Sequence, residues 1–204
     1  MKTLTKPKRL EKGDKIATIS PCNGWAGDGR TNWKYNLGVS RLQEIGLQAV
    51  AAPNSMRGSE FLSKNPKARA EDIMWAFEND ETCAVIANVG GNDSIKVIPY
   101  IDPKVISNHP KVFIGYSDVM NLHLLCYQCG LSSFYGDNLF HPIADQSGWH
   151  RYSRHWFLKT LFDTRPIGKI DPSPDWTFEP SDLFHSEVKR NYYPNDGYRL
   201  IQGT

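Results

Sequence analysis

"KVFIGYSDVMNLHLLC", Lys111 to Cys126, is where the fold can first be read. A short apolar run ends at Gly115, and apolar residues then recur at helical spacing from Val119. A continuous apolar run of this length, bounded by glycine, reads as a strand buried on both faces. The helix follows almost at once, so Tyr116, Ser117 and Asp118 form a sharp strand-to-helix corner. A small hydroxyl residue at such a corner has two readings. It is a nucleophile held out over the edge of a sheet, or it is a helix cap. The G-Y-S-D run has the first glycine of a G-x-S-x-G elbow but Val119 in place of the second. The local pattern leaves both readings open.

The same alternation extends in both directions. Strands are expected at 15–20, 47–53, 83–89, 111–115 and 131–136, and helices at 30–46, 66–80, 118–130 and 149–163. Pro66 suits a first helical turn, and Ile73, Met74 and Phe77 share a face. Residues 54–65 read as a polar loop, and "IKVIPYID" as a short helix or irregular segment limited by Pro99. Repeated strand and helix predict an α/β fold, an open and mostly parallel sheet with flanking helices. Sites in such sheets lie at the carboxyl ends of strands. The loops there are 21–31, 90–94, 115–118 and 136–142, each rich in Gly, Asn, Asp or Ser. Past residue 150 the pattern changes, and "TRPIGKIDPSPDWTFEPSD" holds four prolines, too many for another α/β unit. The expected division is an α/β domain over 1–165, then a linker and the incomplete start of a second, β-rich domain over 166–204.

Composition narrows the function. The 204 residues carry 24 basic and 22 acidic side chains, a net charge of +2, which gives no reason to expect a nucleic acid polymer or a membrane as partner. The basic opening lacks an apolar core of the signal-peptide kind, and no apolar run is long enough to span a bilayer. The expected compartment is the cytoplasm. Cys126 and Cys129 form a C-Y-Q-C pair near a helix end rather than a helix start, which favours packing over redox chemistry. No zinc-spaced ligand set accompanies them; no metal or organic cofactor is expected.

A second candidate feature is "NVGGNDS", 88–94. Two glycines directly after a buried strand allow close backbone approach, and their amides could hold an oxyanion or a phosphate. A plain turn would look the same. Of the six histidines, His123 is six residues past Ser117 on the same helix, about 9 Å of rise away, and is poorly placed as a base. His141 sits in a loop at the site edge, and no histidine is a convincing general base.

"KIATISPCNG", "ANVGGNDS", "FIGYSDVMNLHLLCYQCGLSSFYGDNL" and "PDWTFEP…NDGYRLIQG" resemble, in order and spacing, the LD-carboxypeptidase family of serine peptidases. The closer branch is that of the microcin C self-immunity proteins. The resemblance implies a serine nucleophile at Ser117, with the amides of Asp118 and Gly91 as the oxyanion site. Gly90, Asn92 and Tyr116 are the expected substrate-binding residues beside it. The family's triad takes its Glu and His from a C-terminal domain, and no residue here matches them. The chain is therefore expected to be a truncated product or a fragment, inactive alone. Its domain-facing surface, with Trp149, Trp156, Trp176 and Phe178, is expected to be exposed and to form a homodimer. The implied substrate is a small muropeptide or peptidyl-nucleotide, cut at a C-terminal amide bond. The rival readings are a non-catalytic module that binds a small acidic ligand at Gly90–Gly91, and a thiol oxidoreductase using Cys126 and Cys129.

Overall fold

The computed structural model describes residues 3–202. Five strands form one parallel sheet: β1 (Lys15–Ile19), β2 (Gln48–Ala51), β3 (Thr82–Ala87), β4 (Val112–Gly115) and β5 (Phe134–Tyr135), in the order β2-β1-β3-β4-β5. Every neighbouring pair is parallel. The chain winds outward from β1 to β2, then crosses back to place β3 on the other side of β1. Loops leaving β1 and β3 therefore diverge and open a crevice at the carboxyl edge of the sheet.

Period-two alternation within the strands divides the core. Ala17, Ile19, Val85, Ala87 and Phe113 point to one face, and Ile16, Ala84, Ile86, Val112 and Ile114 to the other. The first face is covered by α3 (Pro66–Glu78), α4 (Pro103–Asn108) and α5 (Met120–Gln128), through Ile73, Phe77, Ile106 and Leu122. The second is covered by α1 (Asn32–Glu44) and α6 (Arg151–Leu161), through Leu42, Phe157 and Leu161. Both faces of β3 and β4 are thus sealed, which is why their sequences read as unbroken apolar runs.

Two elements depart from the sequence reading. Residues 54–65, expected as a loop, contain α2 (Gly58–Lys64). Its start depends on a distant residue: the Asp28 carboxylate accepts from the Ser59 amide and hydroxyl, at 2.8 and 2.5 Å. Its one deep anchor is Leu62, so no apolar period announces it. The short α4 was also missed, although Asp102 caps it by accepting from the Lys104 amide at 2.9 Å, and Pro103 stands at its first position. "IKVIPYID" falls largely within a 3-10 helix over Ser94–Tyr100.

After α6 the chain is mostly extended, and β6 (Asp175–Trp176) pairs antiparallel with β7 (Tyr193–Pro194). This segment is pinned to the sheet domain. Lys34 Nζ of α1 donates to Ser181 Oγ at 2.6 Å, Trp33 Nε1 to the Leu183 carbonyl at 3.1 Å, and Arg190 pairs with the buried Asp145 at 2.5 Å. The expected exposed tryptophan surface needs two corrections, the first being Trp156, which is half-buried with its Nε1 out of solvent. Trp149 is only 8% exposed and packs edge-on against Phe157 in the core, because it closes the base of α6. Trp176 and Phe178 are exposed; Phe178 stacks on Tyr193 and meets Trp176 at a tilt. Among the described residues no helix is long and apolar enough to cross a membrane.

Candidate active site

The corner after β4 is built around Ser117. Among the described residues it is the one non-glycine with a left-handed backbone, φ +67°. That conformation costs an L-residue about 1–2 kcal/mol. Three contacts hold it. Asn138, itself buried, accepts from the Tyr116 amide at 3.1 Å and donates to the Tyr116 carbonyl at 3.4 Å. The Tyr135 hydroxyl accepts from the Ser117 amide at 3.0 Å. Val119, fully buried, anchors the far side of the turn. The result is an exposed Ser117 whose Oγ has no hydrogen-bond partner among the described residues, and no side-chain cap is made at this helix start. The helix-cap reading of Ser117 therefore fails.

The glycine turn after β3 lies against that serine. A Cβ on Gly90 would come within 2.9 Å of Ser117 Cβ and 3.1 Å of its Oγ, and one on Gly91 within 2.7 Å of Cys22 Cβ. Only glycine lets the three loops approach this closely. Among the described residues the amides of Gly90, Gly91 and Asn92 donate to no protein acceptor. Gly90, Gly91, Asn92, Tyr116 and Ser117 share a cleft of about 400 Å³ with Asn23, Trp25, Val89 and Asn138. Four of the expected residues besides Ser117 are thus brought to one place.

Asp118 lies just behind the cleft. Its carboxylate accepts from the Asp93 and Ser94 amides at 2.9 and 2.8 Å, and its carbonyl from the Ser94 hydroxyl at 2.6 Å. It ties the Ser117 corner to the glycine turn. Arg69 of α3, fully buried, adds a second tie: Nη1 donates to the Pro21 and Cys22 carbonyls and to Asp93 at 2.7 Å. Partial burial works against the Asp93 charge, but the hydrogen bonds from Arg69 and Lys96 prevail and hold its carboxyl below the usual range.

The histidines divide as expected. His123 is buried, with Nε2 2.9 Å from the Gly115 carbonyl and Nδ1 2.8 Å from Ser133 Oγ. Burial lowers its pKa, so the ring is neutral and Nε2–H donates to the carbonyl. It braces the end of β4. His141 is held down to about 4, chiefly by burial. Among the described residues neither is bonded to Ser117. Cys126 is buried, and that burial pushes its thiol up to about 12, which weighs against the thiol reading.

Sequence reasoning missed Asn23, Trp25, Tyr135 and Asn138 as individuals. Asn23 donates to the Gly90 carbonyl at 3.2 Å and Asn138 clamps Tyr116 across 22 positions. Asn23, Trp25 and Asn138 lay in the loops expected to hold the site, but which side chain reaches in depends on contacts between distant segments.

A family model described as the LD-carboxypeptidase N-terminal domain matches residues 16–136. The putative carboxypeptidase YocD of Bacillus subtilis is 29% identical over 195 residues, 95% of this chain and 58% of that protein. The probable murein peptide carboxypeptidase of Bacillus subtilis is 33% identical over 176 residues, 82% of this chain and 53% of that protein. The crystal structure of an MccF-like protein from Streptococcus pneumoniae in complex with AMP superposes with a TM-score of 0.85 at 29% identity, covering 94% of this chain and 57% of that one. The chain thus spans a little over half the length of these relatives.

Proposed function

The chain belongs to the LD-carboxypeptidase family of peptidases, and from that premise we propose that it carries the nucleophile half of a serine carboxypeptidase site. Ser117 Oγ attacks the carbonyl carbon of an amide bond near a carboxylate terminus, giving a tetrahedral intermediate. The amides of Gly91 and Asp118 stabilise its oxyanion. Collapse expels the amine, which takes a proton, and leaves an ester on Ser117 that water then cleaves. The observation that carries this reading is a strained serine with an unpartnered hydroxyl, set beside a glycine turn with unpartnered amides. A serine needs a general base, and no described side chain is bonded to its Oγ. On this reading the base belongs to another part of the whole enzyme, and residues 3–202 alone react slowly.

The substrate class follows two relatives. One is named for murein peptides and one holds AMP, so a muropeptide and a peptidyl- or aminoacyl-nucleotide are the two candidates. A cytoplasmic location, and a homodimer formed on the exposed Trp176 and Phe178, belong to the same proposal; sedimentation velocity tests the dimer. A fluorophosphonate probe tests the nucleophile. Slow labelling on the peptide holding Ser117, lost in Ser117→Ala, is the expected result. Labelling elsewhere, or none, with AMP still perturbing the Gly90 and Gly91 amides, would favour the non-catalytic binding module instead.

A further inference from the structure

A second cavity adjoins the nucleophile cleft. It has about 500 Å³ and is lined in part by Arg30, Arg57, Asp28, Glu60 and Phe184. Trp25 belongs to the walls of both cavities, so whatever fills one lies beside the other. Both acids of the second cavity are engaged: Asp28 accepts from the Ser59 amide and hydroxyl, and Glu60 pairs with Lys64 at 3.0 Å. Nearby Asp182 accepts from the Phe184 and His185 amides at 2.7 and 2.9 Å. The two arginines are not engaged in this way. Among the described residues neither forms an ion pair, and the one hydrogen bond of the Arg57 guanidinium is a 3.5 Å contact to Asn54. Each is instead laid over an aromatic ring, Arg30 on Phe184 at 4.5 Å and Arg57 on Phe61 at 3.3 Å. Stacking fixes a guanidinium while leaving its in-plane N–H groups free for a bidentate oxyanion.

We propose that Arg30 and Arg57 form an anion subsite that selects substrates bearing a carboxylate or phosphate group away from the scissile amide. This rests on the serine peptidase reading for its role in specificity, but the binding itself does not. Two arginines steadied by stacking and free of partner carboxylates form bidentate, charge-assisted bonds with such a group. A lysine in either place would supply charge without the fork.

The test is a titration of the isotope-labelled chain, read on the arginine Nε–Hε resonances and on affinity. The phosphate arm uses AMP against adenosine; the carboxylate arm uses L-alanyl-γ-D-glutamate against its α-amide. The arm that responds identifies the source of the anion. Expected are shifts at Arg30 and Arg57 with the charged member of at least one pair, and an affinity loss of about ten-fold or more in the Arg30→Ala/Arg57→Ala variant. The neutral controls should bind alike to both proteins, and Ser117 labelling should be unchanged in the variant. Equal binding of charged and neutral members, or an unaltered affinity in the variant, overturns the subsite. Ser117 labelling that proceeds normally in that case leaves the peptidase reading standing. Arginine-dependent anion binding with an unreactive Ser117 would sink the peptidase reading and keep the subsite.

Discussion

Ser117 occupies a backbone region that glycine prefers, and surrounding contacts hold it there. Asn138, Tyr135 and Val119 fix the residue in place, so its strain is stored in the fold. Removing Cβ should release it. Ser117→Gly is expected to be more stable than Ser117→Ala by about 1 kcal/mol in urea unfolding. An equal or lower stability would show that the turn is not strained. Gly90 gives a second expectation. Its added Cβ would meet the Ser117 Cβ at 2.9 Å, an atom carried directly on the backbone rather than the yielding tip of a long side chain. Gly90→Ala should therefore slow labelling at Ser117 by about ten-fold or more, since a displacement of about 1 Å at a reacting atom costs up to a hundred-fold. An unchanged rate would mean that the turn and the serine are not packed as described. The glycines and the serine were visible in the sequence. The sign of the Ser117 φ was not, because nothing in G-Y-S-D distinguishes a cap from an elbow.

The elements that hold the site differ in how openly the sequence declares them. β3 and β4 are sealed by helices on both faces, and their apolar runs announce it. α2 is anchored by a single deep leucine and started by Asp28, so its sequence looks like a loop. The loop after β5 is the most consequential of these connectors. Through Asn138 it holds both backbone groups of Tyr116, and its own amide donates to the His141 carbonyl at 2.7 Å. Asn138→Leu removes that clamp and leaves the part-buried Tyr116 backbone groups unpaired, at a cost of about 1–3 kcal/mol. The same substitution should reduce Ser117 labelling well beyond what the stability loss explains at temperatures where the variant is folded. Full labelling in a destabilised variant would reduce Asn138 to a structural residue.

At the scale of the whole molecule, pH acts on this same loop through two opposed groups. Burial pushes the Asp137 carboxyl up to about 7, against the hydrogen bond from Trp149, and pulls His141 down to about 4. Asp137 keeps its proton longer in the folded state, so its contribution to stability is present in acid and lost as pH rises through about 7. His141 resists protonation in the folded state, so its contribution is present above its ordinary pKa of 6.5 and lost as pH falls toward about 4. Between those values the two offset each other. Asp72, pushed up to about 6 by burial, works in the sense of Asp137, and His123 in the sense of His141. Asp137→Asn removes one side of the balance. The variant should gain stability relative to the parent at pH 8. On acidification from pH 6.5 to 4 it should then lose up to roughly 3 kcal/mol relative to the parent. Parallel urea midpoints for the two proteins across that range would contradict the upward shift of Asp137.

The sequence by itself determined the α/β class, the places where strands hand over to helices, and the loops at the carboxyl edge of the sheet. Those features rest on apolar periodicity and on glycine, which act over a few neighbouring residues. Tertiary structure decided which groups meet. It set Gly90 against Ser117, turned Asp118 toward the Asp93 and Ser94 amides, buried Trp149, and stationed Arg69 between the loops. Each of these joins segments far apart in the chain, and their geometry follows from how both faces of the sheet are packed rather than from any local run of residues.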